Sequence, residues 1–172
     1  QQTQQYASVI KDAAAKVPTQ VTYPTSNSLA DQLKIVARLI KGGLKTRVYM
    51  VNFGGFDTHA VQVNATDTTT GAHATLLGKV SDAIRAFQKD LKFLGVDDRV
   101  AGMTFSEFGR RVKDNGSGTD HGTAAPMFII GGNNKGQIIG ENPNLPFSFC
   151  GNTWLNKPKG VAWHQKLLQR NR

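Results

Sequence analysis

Two kinds of hydrophobic pattern alternate along this chain, and their alternation restricts the possible folds more than any single motif does. Apolar residues recur at helical spacing through Leu29, Leu33, Val36, Leu39 and Ile40, and again through Leu76, Leu77, Val80, Ile84, Phe87, Leu91 and Leu94. Each stripe is followed by a short run that reads as a buried strand, residues 47–52 and residues 100–105. The first stripe predicts a helix with Ser28 as N-cap and Gly42-Gly43 as its stop, the second a helix over about residues 72–94 capped by Gly95. An earlier series, Tyr6, Val9, Ile10, Ala13 and Val17, predicts a helix closed by Pro18, followed by an irregular connector over residues 19–26. Residues 127–130, ending in Gly131-Gly132, read as a third strand. Strand, helix, strand in that order implies a right-handed crossover and hence an α/β fold with a largely parallel sheet.

Composition narrows the function classes. A length of 172 residues with 39% hydrophobic content suits one domain with a core of its own. No apolar run approaches the ~18 residues of a membrane span, so no transmembrane segment is expected. The start, Gln1-Gln2-Thr3-Gln4-Gln5, has neither Met nor a signal-segment pattern, which leads to the expectation of a processed product or an excerpt of a longer chain. A lone Cys150 excludes an internal disulfide. The net charge of +9 is concentrated at the end, because Lys157, Lys159, Lys166, Arg170 and Arg172 follow Glu141 with no acidic residue among them. Without a stacking pattern or a nucleic-acid-binding motif, such a tail reads as a solvated terminus and argues against nucleic acid as a partner.

The chemistry lies in two short clusters, Gly54-Gly55-Phe56-Asp57-Thr58-His59 and Thr119-Asp120-His121-Gly122. Asp and His supply the oxygen and imidazole nitrogen that Zn²⁺ and similar cations take, and a neighbouring glycine lets the backbone turn the side chains inward. Asp57, His59, Asp120 and His121 are therefore candidate ligands for a divalent metal, zinc first, with manganese or calcium as alternatives. Asp57 could equally cap a turn. His73, at the start of the long helix, is either a further ligand, an orienting donor or a helix-end histidine. Adjacent residues on a strand point to opposite faces, so Asp120 and His121 reach one site only through irregular backbone, which Gly116, Gly118 and Gly122 permit. Residues 106–125 are too long and polar for a simple turn and form a candidate functional loop. Within it, Glu107 and Arg110 are the catalytic candidates: they could pair, orient the site, or, for Arg110, hold a phosphate or sulfate oxygen by two parallel hydrogen bonds. Ser106 and Thr58 carry hydroxyls without an evident base partner.

Four ordered motifs carry a resemblance. Leu29-Ala30-Asp31-Gln32-Leu33, the Gly54–His59 cluster, Phe105-Ser106-Glu107-Phe108-Gly109-Arg110, and Asp120-His121-Gly122 resemble the domain-of-unknown-function family 1501 over roughly residues 5–145. The resemblance implies a bacterial protein similar to the alkaline phosphatase and sulfatase superfamily, with a three-layer sandwich fold. It also implies a metal site at Asp57, His59, Asp120 and His121, metal-dependent hydrolysis of a phosphate or sulfate ester, and a periplasmic or extracellular location, since many members carry a twin-arginine export signal. The superfamily's early strand, with its nucleophile and a further metal-binding Asp, has no counterpart here. The expectation is thus a partial, incomplete domain over residues 1–145 and a divergent basic tail over 146–172, in which His164 is the one positional candidate for a closing ligand. Two functions follow: a hydrolase-related fragment, or a non-catalytic structural or assembly component that keeps the fold and forms homo- or hetero-oligomers through an exposed sheet edge.

Overall fold

Helix α1 (Gln2–Ala15), α2 (Ser28–Lys41) and α3 (Ala72–Phe93) carry the core of the protein, in a computed structural model that describes residues 2–18, 21–122, 125–132, 136 and 138–140, with side chains from residue 7 onward. The apolar stripe of α2, Leu29, Ala30, Leu33, Val36 and Ala37, packs in one cluster with Ala83, Ala86, Phe87 and Leu91 of α3. Ala30, Ala37 and Ala83 are fully enclosed, and small side chains at these positions let the two helices approach closely. The N-cap of α2 is Asn27, one residue earlier than the expected Ser28. Its Oδ1 accepts from the Ala30 N–H at 3.2 Å, while its Nδ2 donates to the Lys79 carbonyl of α3 at 2.8 Å, so one buried side chain caps α2 and ties it to α3. The end of α3 follows expectation: Gly95 adopts φ +65° beyond the Leu94 cap. In the same core the Tyr23 hydroxyl donates to Asp90 Oδ2 at 2.8 Å, and burial, reinforced by the Asp90 charge, pushes the phenol pKa up.

The strands expected over residues 100–105 and 127–130 are present, shorter or shifted, at Ala101–Met103 and Ile129–Gly131, but the pairing departs from expectation. β1 (Ala101–Met103) pairs antiparallel with β4 (Ile129–Gly131), and β2 (Gly109–Asp114) pairs antiparallel with β3 (Thr119–Gly122). Residues 47–52 are extended but belong to no ladder among the described residues. They show the alternation of a half-buried strand, Tyr49, Val51 and Phe53 turned to the core and Val48 and Met50 turned out. At Asn52 the backbone partner is a side chain: Gln32 Nε2 donates to the Asn52 carbonyl at 2.9 Å and Gln32 Oε1 accepts from the Asn52 N–H at 3.1 Å.

The expected three-layer sandwich with a largely parallel sheet, of the alkaline phosphatase-like kind, is therefore corrected: the described residues hold three α-helices, one 3₁₀ turn (Asp97–Arg99) and two antiparallel two-stranded sheets. The physical reason is local. Parallel neighbours need a crossover that returns to the same ladder, and α3 links an unpaired extended segment to β1. The described chain between β1 and β4 contains the β2–β3 hairpin and no crossover helix, and β4 pairs with β1 antiparallel. The tail over 146–172, with His164, lies outside the described residues. Among the described residues no helix is long and apolar enough to cross a membrane.

Candidate metal centre

Residues 56–62 leave the helical layer and run beside the β2–β3 hairpin, and backbone contacts fix how closely they approach. The Gln62 N–H donates to the Ser117 carbonyl at 3.2 Å, the Thr119 N–H to the Thr58 carbonyl at 3.4 Å, and the Thr119 hydroxyl to Gln62 Oε1 at 2.8 Å. The hairpin turn is organised by Asn115, whose Oδ1 accepts from the N–H groups of Ser117 and Gly118. Gly118 is the point of closest approach: a Cβ there would stand 2.5 Å from the Thr58 carbonyl oxygen and 2.6 Å from that of His59. The ladder runs from Arg110↔His121 to Asp114↔Thr119, so β2 advances four residues while β3 advances two. That irregularity re-aims side chains on the hairpin.

The two clusters meet here. Asp57 Oδ1 lies 2.7 Å from His121 Nε2 and 3.0 Å from His59 Nε2. These three donor atoms all fall within 4.8 Å of one another, on exposed side chains. Asp120 approaches from the other side of the His59 ring, its Oδ1 3.2 Å from Nδ1. Asn115 Nδ2 donates both to Asp120 Oδ1 and to the His59 carbonyl, each at 3.0 Å. The His121 ring stacks on Phe108, centroids 4.1 Å apart and planes within 6°.

Arg110 braces the cluster from behind. Its guanidinium donates to the Thr119 carbonyl at 2.6 Å and to the Phe56 carbonyl, lies 3.7 Å from Asp57 Oδ1, and sits over the Phe108 ring. The hydrogen bond with His121, aided by the charges of His59, His121 and Arg110, holds the Asp57 carboxyl below the ordinary aspartate value against a desolvation effect that opposes it. Asp120 is likewise lowered, first by the hydrogen bond from Asn115 and then by that with His59.

The donor set suits a metal by its chemistry. One carboxylate oxygen and two imidazole nitrogens match zinc and, as a two-histidine-one-carboxylate face, iron or manganese. Calcium prefers six or more oxygens and fits this set poorly. Tetrahedral ligands at bond lengths of about 2.0–2.1 Å stand ~3.3 Å apart, a few tenths of an ångström beyond the hydrogen-bond spacings found here.

The remaining sequence candidates are placed elsewhere. His73 does not join Asp57, His59 and His121; its ring makes a T-shaped contact with Phe56, and its buried Nδ1 has no hydrogen-bond partner among the described residues. Glu107 sits at the bend before β2, and among the described residues no hydrogen bond or ion pair joins it to Arg110 or to the cluster. Ser106 Oγ accepts from the Phe108 N–H at 3.4 Å, and Thr58 is buried. Asn115 and Phe108 were missed in the sequence. The Asn115-Gly116 pair is a hairpin-turn signal that could have revealed β2 and β3, whereas nothing local marks Phe108.

No curated protein and no solved structure matches the chain. A family model does, over residues 3–153, described as "Protein of unknown function (DUF1501)". With most of its length matched, the chain belongs to the domain-of-unknown-function family 1501.

Proposed function

We propose that this protein binds a divalent cation, zinc first, through Asp57, His59 and His121, and that the site assists hydrolysis of a phosphate or sulfate ester. The carrying observation is the convergence of Asp57 Oδ1, His59 Nε2 and His121 Nε2 from two segments 64 residues apart. Three protein ligands with an exposed side leave a coordination position open, the arrangement of catalytic rather than structural zinc sites. A bound cation would supply Lewis-acid polarisation of the ester oxygens and a lowered pKa for water. The chain's own residues do the rest. Arg110 holds the Phe56 and Thr119 carbonyls and so positions Asp57 against the hairpin, while its charge offsets that of an anionic ester. Glu107 makes no ion pair with the cluster and has no part in this reading. The family's export habit, as the resemblance implies it, puts the site of action in the periplasm or outside the cell.

A second reading, an assembly component that does no chemistry, draws on the apolar side chains at the β1–β4 ladder, where Met103, Phe105 and Phe128 are each more than half exposed. Elemental analysis of the chain purified without chelator, followed by assay with aryl phosphate and aryl sulfate esters, separates the two. Near-stoichiometric zinc or manganese that is lost in Asp57→Ala and His121→Ala, with ester turnover, supports the hydrolase reading. Bound metal without turnover favours the assembly component, and an absence of metal in the unaltered chain overturns the metal site.

A further inference from the structure

His59 is held between two carboxylates. Its Nε2 faces Asp57 Oδ1 at 3.0 Å and its Nδ1 faces Asp120 Oδ1 at 3.2 Å. A neutral imidazole carries one N–H, so it can donate to only one of them. Ligation through Nε2 requires that nitrogen's lone pair, which leaves the proton on Nδ1. We infer that Asp120 is a positioning residue rather than a metal ligand: it accepts the Nδ1–H of His59, fixing the tautomer and ring plane that present Nε2 to the metal beside Asp57 and His121.

Three observations carry this. Asp120 lies across the His59 ring from Asp57 and is not part of the three-donor group. Its Oδ1 is anchored by Asn115 Nδ2 at 3.0 Å, and the same amide donates to the His59 carbonyl, so backbone and ring of His59 are gripped together. Asn115 is itself fixed through its Oδ1, which accepts from the Ser117 and Gly118 N–H groups of the hairpin turn. The result is a chain of hydrogen bonds from turn to Asn115, to Asp120, to His59. Outer partners of this kind typically change metal affinity by about 10–100-fold.

The inference rests on the metal-binding reading of Asp57, His59 and His121, and the experiment separates the two. Zinc affinity is measured by competition with a chromophoric chelator for the unaltered chain and for Asp57→Ala, Asp120→Ala and Asp120→Asn. Histidine tautomers in the zinc-loaded chain are read by nitrogen-15 NMR, and cobalt replaces zinc to report coordination number by its visible spectrum. We expect His59 to be zinc-bound at Nε2 and protonated at Nδ1. Asp120→Ala should lose about 10–100-fold in affinity with an unchanged cobalt coordination number. Asp120→Asn should recover most of that loss, because an amide oxygen can still accept both from His59 and from Asn115, a rescue that also excludes misfolding as the cause. An Asp120→Ala chain with unaltered affinity and tautomer, in a protein whose zinc is lost by Asp57→Ala, overturns this inference alone. Equal losses in both Asp120 variants with a changed cobalt spectrum make Asp120 a ligand and also overturn it. Failure of the unaltered chain to bind zinc or cobalt overturns the site and the inference together.

Discussion

His121 Nε2 and Asp57 Oδ1 stand 2.7 Å apart across 64 residues of sequence, and their contact joins the β2–β3 hairpin to the segment that leaves the helical layer. Because the same Asp57 oxygen also faces His59, loss of Asp57 removes an atom that contacts both rings. A cation in this position would replace hydrogen bonds with stronger bonds, and folding would become linked to metal.

Zinc at about one hundred times its Kd should accordingly add about 2.7 kcal/mol to stability. Thermal unfolding with and without chelator is the measurement: the unaltered chain should melt higher with zinc, and Asp57→Ala or His121→Ala should melt at the same temperature in both conditions.

The metal-free chain should lose stability in acid. The folded-state pKa values of Asp57 and Asp120 are lowered, so the stabilisation they bring is present above the unfolded aspartate value of about 3.9 and is lost as pH falls through the lower folded values. Urea unfolding in chelator between about pH 2 and pH 6 should show stability declining below about pH 4. Asp57→Asn should flatten that decline, and an unchanged slope would count against the contacts described for Asp57.

Gly118→Ala should damage the site without touching a ligand. Its new Cβ would meet the backbone oxygens of Thr58 and His59 at 2.5 and 2.6 Å, and backbone atoms cannot swing away as a side chain would. Overpacking of this sort costs typically 1–3 kcal/mol. Denaturant unfolding should show a loss in that range, and zinc affinity should fall as the His59 segment is pushed from the hairpin.

The N-cap can be located by two substitutions. Asn27→Ala removes both the cap and the bond to Lys79, on a side chain only 3% exposed, and should cost about 1–2 kcal/mol. Ser28→Ala, at the position that spacing alone would nominate, should stay within about 0.5 kcal/mol of the unaltered protein.

Several features were legible without coordinates. The stripes of α2 and α3, the Gly95 cap and the chemical identity of the Asp/His clusters are local information: a periodicity of three to four residues, a residue free to adopt positive φ, or the donor atoms of a side chain. α1 was also readable, although it begins at Gln2 and so earlier than its apolar series. The alternation in residues 47–53 was not, because Val48 and Met50, which turn out, are as apolar as Tyr49, Val51 and Phe53, which turn inward.

Tertiary structure decided the rest, because pairing and register depend on residues far apart in sequence. Nothing in residues 47–52 announces that they would join no ladder among the described residues, or that the Asn52 backbone would be met by the Gln32 side chain. In the same way, Asp120 and His121 are adjacent letters, yet only the uneven advance of β2 against β3 and the close approach at Gly118 set their places. They send one to the far side of His59 and the other to Asp57. Residue chemistry along the chain determined which atoms could bind a cation; the packing of the hairpin against residues 56–62 decided which three of them face one another.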